Sequence, residues 1–140
     1  MSKSKILLAG LVAGAVSACA APMTFQTQMT GAREVPATNT RGVGTVNALV
    51  YPSTGAMTFE AVYKDLSGPA TAAHFHGPAV AGANAGVVVP AGPAAASPIK
   101  GTANLTEAQM ADLLAGKWYF NVHTAANPGG EIRGQMARVQ

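Results

Sequence analysis

The chain has 140 residues, nine basic and six acidic, for a net charge of +3, and 49% of its residues are hydrophobic. Lys3 and Lys5 lie at the extreme N-terminus; without them the balance is seven to six, so there is no basic stripe with interleaved aromatics, and nucleic-acid binding is set aside as a function class. A single cysteine precludes an internal disulfide, and the length suits one domain with a modest core.

The N-terminus reads as a targeting segment rather than part of a fold. Two lysines precede an apolar run of Leu, Val, Ala and Gly over residues 6–16. That run is shorter than the ~20 residues a bilayer span needs, and its charge, length and small-residue exit predict a secretory signal over residues 1–18. Val16-Ser17-Ala18-Cys19 resembles a lipobox, which predicts an acylated Cys19 at the mature N-terminus and residues 19–22 as anchor and short tether. Ala20, not Asp, follows it. By resemblance to lipoprotein sorting this predicts a periplasm-facing outer-membrane anchor, or a cell-surface one. The competing reading is ordinary cleavage at Ala18-Cys19-Ala20, an A-x-A-like exit. The unpaired thiol of an exported chain favours lipidation, which gives it a use.

From Met23 onward, short apolar or alternating runs are punctuated by Gly, Pro, Asn and Ser, the pattern of an all-β sandwich or barrel. Strands are expected over residues 23–30, 42–51 and 57–63. Pro52, Ser53, Thr54 and Gly55 form a turn that pairs the last two as a hairpin. Residues 71–76 form a short strand running into Gly77-Pro78, residues 79–85 a small-residue loop, residues 87–89 a short strand, and residues 90–98 a Pro/Ala/Gly loop. A strand over residues 99–105 leads to the one helix, about residues 106–115. Thr106 is its N-cap with Gln109 as reciprocal partner. Met110, Leu113 and Leu114 form its apolar stripe, and Gly116 closes it. Strands over residues 117–124 and 131–139 flank a tight turn at Asn127-Pro128-Gly129-Gly130, and no repeat or second domain interrupts residues 23–140.

Two segments carry a family resemblance. Ala72-Ala73-His74-Phe75-His76-Gly77-Pro78-Ala79 resembles the A-H-x-H-G-x-A box of the CHRD (chordin-like) domain family. Tyr119-Phe120-Asn121-Val122-His123-Thr124, followed by Asn127-Pro128-Gly129-Gly130-Glu131-Ile132-Arg133-Gly134-Gln135, resembles that family's C-terminal motif. Glu34-Val35-Pro36 and Leu66-Ser67-Gly68 resemble its earlier landmarks, so the likeness covers essentially the whole mature chain. It implies an antiparallel, Greek-key-like β-sandwich and, from the bacterial members, an exported single-domain lipoprotein. The His-x-His box also resembles the copper-ligand strand of copper/zinc superoxide dismutases, a short and local likeness.

All three histidines of the chain lie in these two segments. His74 and His76, two apart on a strand, point to one face, with Phe75 on the other. The same alternation groups Tyr119, Asn121 and His123 against Trp118, Phe120 and Val122. If the two strands are neighbours they assemble a three-imidazole site. Such a donor set suits Cu(II), Zn(II) or Ni(II), with copper first by the Irving–Williams order and zinc second. A fourth ligand is open among water, Tyr119, Glu131 and a methionine; Met57 and Met110 read as core. Asn121 and Glu131 are candidates to accept the free ring N–H of a ligating histidine, although Glu131 also suits an ion pair with Arg133 or Asp65. The competing reading of the histidines is that they cap a sheet rim and bind nothing.

Three functions follow in order: a membrane-tethered periplasmic metal-binding protein for copper handling; an extracytoplasmic structural or adhesive module, or protein-binding module, without metal; and a mononuclear copper redox enzyme. The balance is against an enzyme. All three histidines are used in one site, and the chain offers no Ser-His-Asp or paired-carboxylate arrangement.

Overall fold

A computed structural model of the chain describes residues 20–93 and 96–140. The signal segment and Cys19 lie outside the described residues. Among the described residues, nine strands, one 3₁₀ turn (Gly31–Arg33) and one α-helix follow in order: β1 Met23–Thr30, β2 Val43–Tyr51, β3 Ala56–Lys64, β4 Ala70–His76, β5 Val87–Pro93, β6 Ile99–Asn104, α1 Glu107–Leu114, β7 Tyr119–Thr124, β8 Ile132–Gln135 and β9 Ala137–Arg138. All strand pairs are antiparallel, in the spatial order β5-β4-β7-β8-β1-β2-β3-β6, with β9 also on β1. The all-β antiparallel expectation holds. The sandwich is built by one continuous sheet that folds over on itself until its two end strands approach.

The reason for this closure is visible in the side chains. Alternate residues of β2 and β3 (Val46, Ala48, Val50; Met57, Phe59, Ala61) are buried, and their neighbours are largely exposed. Phe59 of β3 meets Phe75 of β4 edge-on at 5.0 Å, and Phe75 meets Phe120 of β7 at 4.7 Å. These contacts join the two halves of the sheet through a shared aromatic centre, each pair contributing about 0.5–1.5 kcal/mol beyond its buried area. Trp118 lies fully buried beside Phe75. Gly77 passes so close to the indole that an added Cβ would sit 2.5 Å from Trp118 Cδ1, so a side chain there has no room.

The helix forms as its caps dictate. Thr106 accepts from Gln109 N, Gln109 returns the bond, and Gly116 follows the last turn at φ 69°. Two expectations need correction. β5 runs on through Pro90 to Pro93, beyond the three residues expected, because it hydrogen-bonds to β4 alone; on that edge a missing N–H costs nothing. The last strand is broken in two. Met136 turns its side chain into the core and gives its N–H to Trp118 O, so β8 stays with β7 while β9 crosses to β1.

Candidate metal centre

β4 and β7 are neighbours, with His74 opposite Asn121, His76 opposite Tyr119 and His123 opposite Ala72. The pleat therefore puts all three imidazoles on the outer face of one strand pair, while Phe75, Phe120 and Val122 fill the core. One ring nitrogen from each of His74, His76 and His123 lies within 4.8 Å of the others. A tetrahedral ion with ~2.0 Å bonds spaces its nitrogens by about 3.3 Å, so a contraction of these side chains would bring the three nitrogens to coordination spacing. His74 Nδ1 and His123 Nε2 already stand 3.1 Å apart.

The tautomers are set by backbone carbonyls. His76 Nδ1 donates to Ala85 O at 2.9 Å, and His123 Nδ1 donates to Pro128 O at 2.9 Å. A carbonyl only accepts, so both Nδ1 atoms carry the proton and both Nε2 atoms keep a lone pair. His76 Nε2 is buried with no hydrogen-bond partner in the protein. A buried, unpaired acceptor costs free energy, and a bound cation is one species that would relieve it. Burial holds the pKa of His74 below the ordinary 6.5, with His123 and His76 adding repulsion. Burial does the same for His76, against the raising effect of Ala85 O and Asn121 and with further lowering from His123 and Arg133. Neutral imidazole with a free lone pair is the ligand form.

The outer face of β7 is buried because residues 77–86 fold over it. Tyr119 Oη donates to Ala85 O at 3.2 Å, Gln135 Nε2 donates to Ala79 O at 2.8 Å, and Arg133 donates to Asn84 Oδ1 at 2.9 Å and Ala83 O at 2.5 Å. Asn84 in turn reaches Val35 O at 3.0 Å. Tyr119 lies flat against His76, with ring centres 4.7 Å apart and planes within 1°, and Arg133 Cζ sits 3.4 Å from the Tyr119 ring centre. Tyr119 therefore packs a histidine and spends its hydroxyl on the loop. The Asn121 carboxamide faces both His76 and Glu34 closely enough to bias their titrations, although its Oδ1 forms no hydrogen bond of full geometry.

Glu131 stands apart from the histidines. It precedes the first residue of β8, outside the strand that the sequence extends over residues 131–139. Its carboxylate accepts from Thr40 Oγ1 (2.5 Å), Ser67 N (2.7 Å), Ser67 Oγ (2.5 Å), Thr124 Oγ1 (2.6 Å) and Asn127 Nδ2 (3.2 Å). Burial pushes this carboxyl up, and the bonds from Ser67, Thr124 and Thr40 more than reverse that, to about 2. Among the described residues it pairs with neither Arg133 nor Asp65. Arg133 and Glu34 were the residues the sequence undervalued. Both are ionisable and nearly fully buried in the layer beside the histidines, and the only signal for either was its place in a family motif.

Among the described residues no helix is long and apolar enough to cross a membrane. The CHRD domain family matches residues 25–136, and the chain belongs to that family. No curated protein and no solved structure matches it.

Proposed function

We propose that this CHRD domain is a metal-binding protein, copper first and zinc second, that holds its ion on His74, His76 and His123. The observation that carries the reading is the convergence of one ring nitrogen from each histidine within 4.8 Å, with His76 and His123 locked by backbone carbonyls and His76 Nε2 buried without a partner. Buried polar groups are ordinarily hydrogen-bonded; His76 Nε2 is one of five buried side-chain polar atoms without a partner among the described residues, and it is the one that faces two further imidazoles. Three neutral nitrogens suit Cu(II) and Zn(II), and an open position beyond them admits water or an exchanging ligand. His74 and His123 are only partly buried, which gives an ion a way in and out. That access suits metal binding and handling better than a sealed structural site.

The setting we propose is the periplasmic side of a bacterial outer membrane, or the cell surface, with the chain tethered by a lipid on Cys19. The lipobox-like Val16-Ser17-Ala18-Cys19 supports it. Labelled fatty acid should enter the wild-type chain and not Cys19→Ala; equal labelling overturns the anchor. For the metal, calorimetric titration with Cu(II) and Zn(II) should show one ion per chain, with His76→Ala and His123→Ala each abolishing the heat. Equal binding by wild type and variants overturns the site and leaves a metal-free structural, adhesive or protein-binding module as the working function.

A further inference from the structure

The three imidazoles bring no charge to an ion, and no carboxylate or thiolate joins them among the described residues. The charged side chain that acts on His76 from the neighbouring layer is a cation, Arg133. Arg133 is 2% exposed and lies over Tyr119, which is itself stacked on His76. Its guanidinium is held by Asn84 Oδ1 and Ala83 O, both neutral acceptors, so no direct ion pair cancels it. Glu34 interacts with Arg133 by charge in this layer, but of the two only Arg133 acts on His76.

Copper has two accessible charges, and a fixed positive neighbour costs Cu(II) more Coulomb energy than Cu(I). Across a buried layer two stacking distances deep, with an effective dielectric constant near 20, that difference is worth a tenfold effect or more. We infer that Arg133, acting through the Tyr119 stack, biases this centre toward Cu(I), so that the protein holds copper in its reduced state; the inference rests on the metal reading above. The bias is a difference in affinity between Cu(I) and Cu(II) ions delivered already in either state, so it requires no electron transfer and no bond made or broken in the protein. Arg133 is in this sense a tuning residue that touches no metal.

The test measures two affinities on the whole chain. Cu(I) is measured anaerobically with ascorbate by competition with bicinchoninate, and Cu(II) by competition with nitrilotriacetate. Their ratio fixes the reduction potential, each tenfold being 59 mV for one electron. Arg133→Gln should shift the ratio about tenfold toward Cu(II), whereas Arg133→Lys should keep most of the wild-type ratio. Zn(II) affinity should rise with Cu(II) in Arg133→Gln. A merely structural loosening would lower every affinity together. If Arg133→Gln does not fold, Asn84→Asp carries the test, because it sets a carboxylate against the intact guanidinium and should move the ratio the same way relative to Asn84→Ala. A wild type that binds no metal overturns the proposed function itself. A wild type that binds copper with the same ratio in Gln, Lys and Asp variants overturns this inference alone.

Discussion

Two polar clusters lie at neighbouring ends of β7 and β8, and they differ in how they are satisfied. Glu131 is 0% exposed and its carboxylate is caged by hydroxyls and amides from four residues on three segments of chain, with every bond supplied from within. The histidine cluster has its outer nitrogens tied to carbonyls and its inner ones turned toward each other, one of them buried and unpartnered. Completion from within is what a structural role requires. Incompleteness in a rigidly held set of ligands is what a binding role requires. Burial and charge alone do not mark a site; converging ligand atoms with a lone pair left unused are what set the histidines apart from Glu131.

The largest expected effect falls on the satisfied cluster. Glu131→Ala should destabilise the metal-free protein by about 3 kcal/mol or more, since it strands Ser67, Thr40 and Thr124 around a void. Urea unfolding checks this, and a loss near zero would break the contrast. The same carboxylate sets the acid limit. Its folded pKa of about 2 lies below the ordinary 4.5, so its stabilisation is complete above pH 4.5 and drains away as pH falls toward 2. That limb is worth about 3 kcal/mol at full extent.

On the unsatisfied cluster the large effect is on metal, not fold. His74→Ala should lower copper affinity by more than the 10–100-fold typical of supporting residues, while the stability of the metal-free chain stays within about 0.5 kcal/mol. Calorimetry and thermal unfolding on the same samples separate the two. The pH dependence sharpens this further. His74 and His76 have folded pKa values below 6.5, so the unfolded chain binds more protons. Stability should therefore fall as pH drops below about 6.5 and level off below the folded values. His74→Ala/His76→Ala should flatten that limb and leave the one near pH 4.5 to 2 in place. The smallest effect is expected at the loop. Asn84→Ala frees Arg133 and Val35 from residues 77–86, which carry the Ala85 carbonyl, and should cost about tenfold in copper affinity.

Much of this was legible from residue order. The two-residue spacing of His74 and His76 and the alternation through Tyr119, Asn121 and His123 follow from the pleat, and so did their common face once β4 lay beside β7. The capped helix followed from Thr106, Gln109 and Gly116. What the sequence hid were partners without a side-chain signature. Ala85 O and Pro128 O fix two tautomers, yet one belongs to a stretch of small residues and the other to a turn. The pleat rule also failed where the strand did. Glu131 sits before β8, and the break at Met136 divides a run that reads as continuous, because core burial of that methionine outweighs strand continuity.

The account turns on whether the three imidazoles share one ion. The most direct measurement is the EPR spectrum of the chain loaded with one equivalent of Cu(II), beside His74→Ala/His76→Ala at the same loading. The account predicts nitrogen hyperfine structure from several imidazoles in the wild type and its loss in the double variant. The same spectrum from both proteins, or one with no nitrogen coupling, would contradict it.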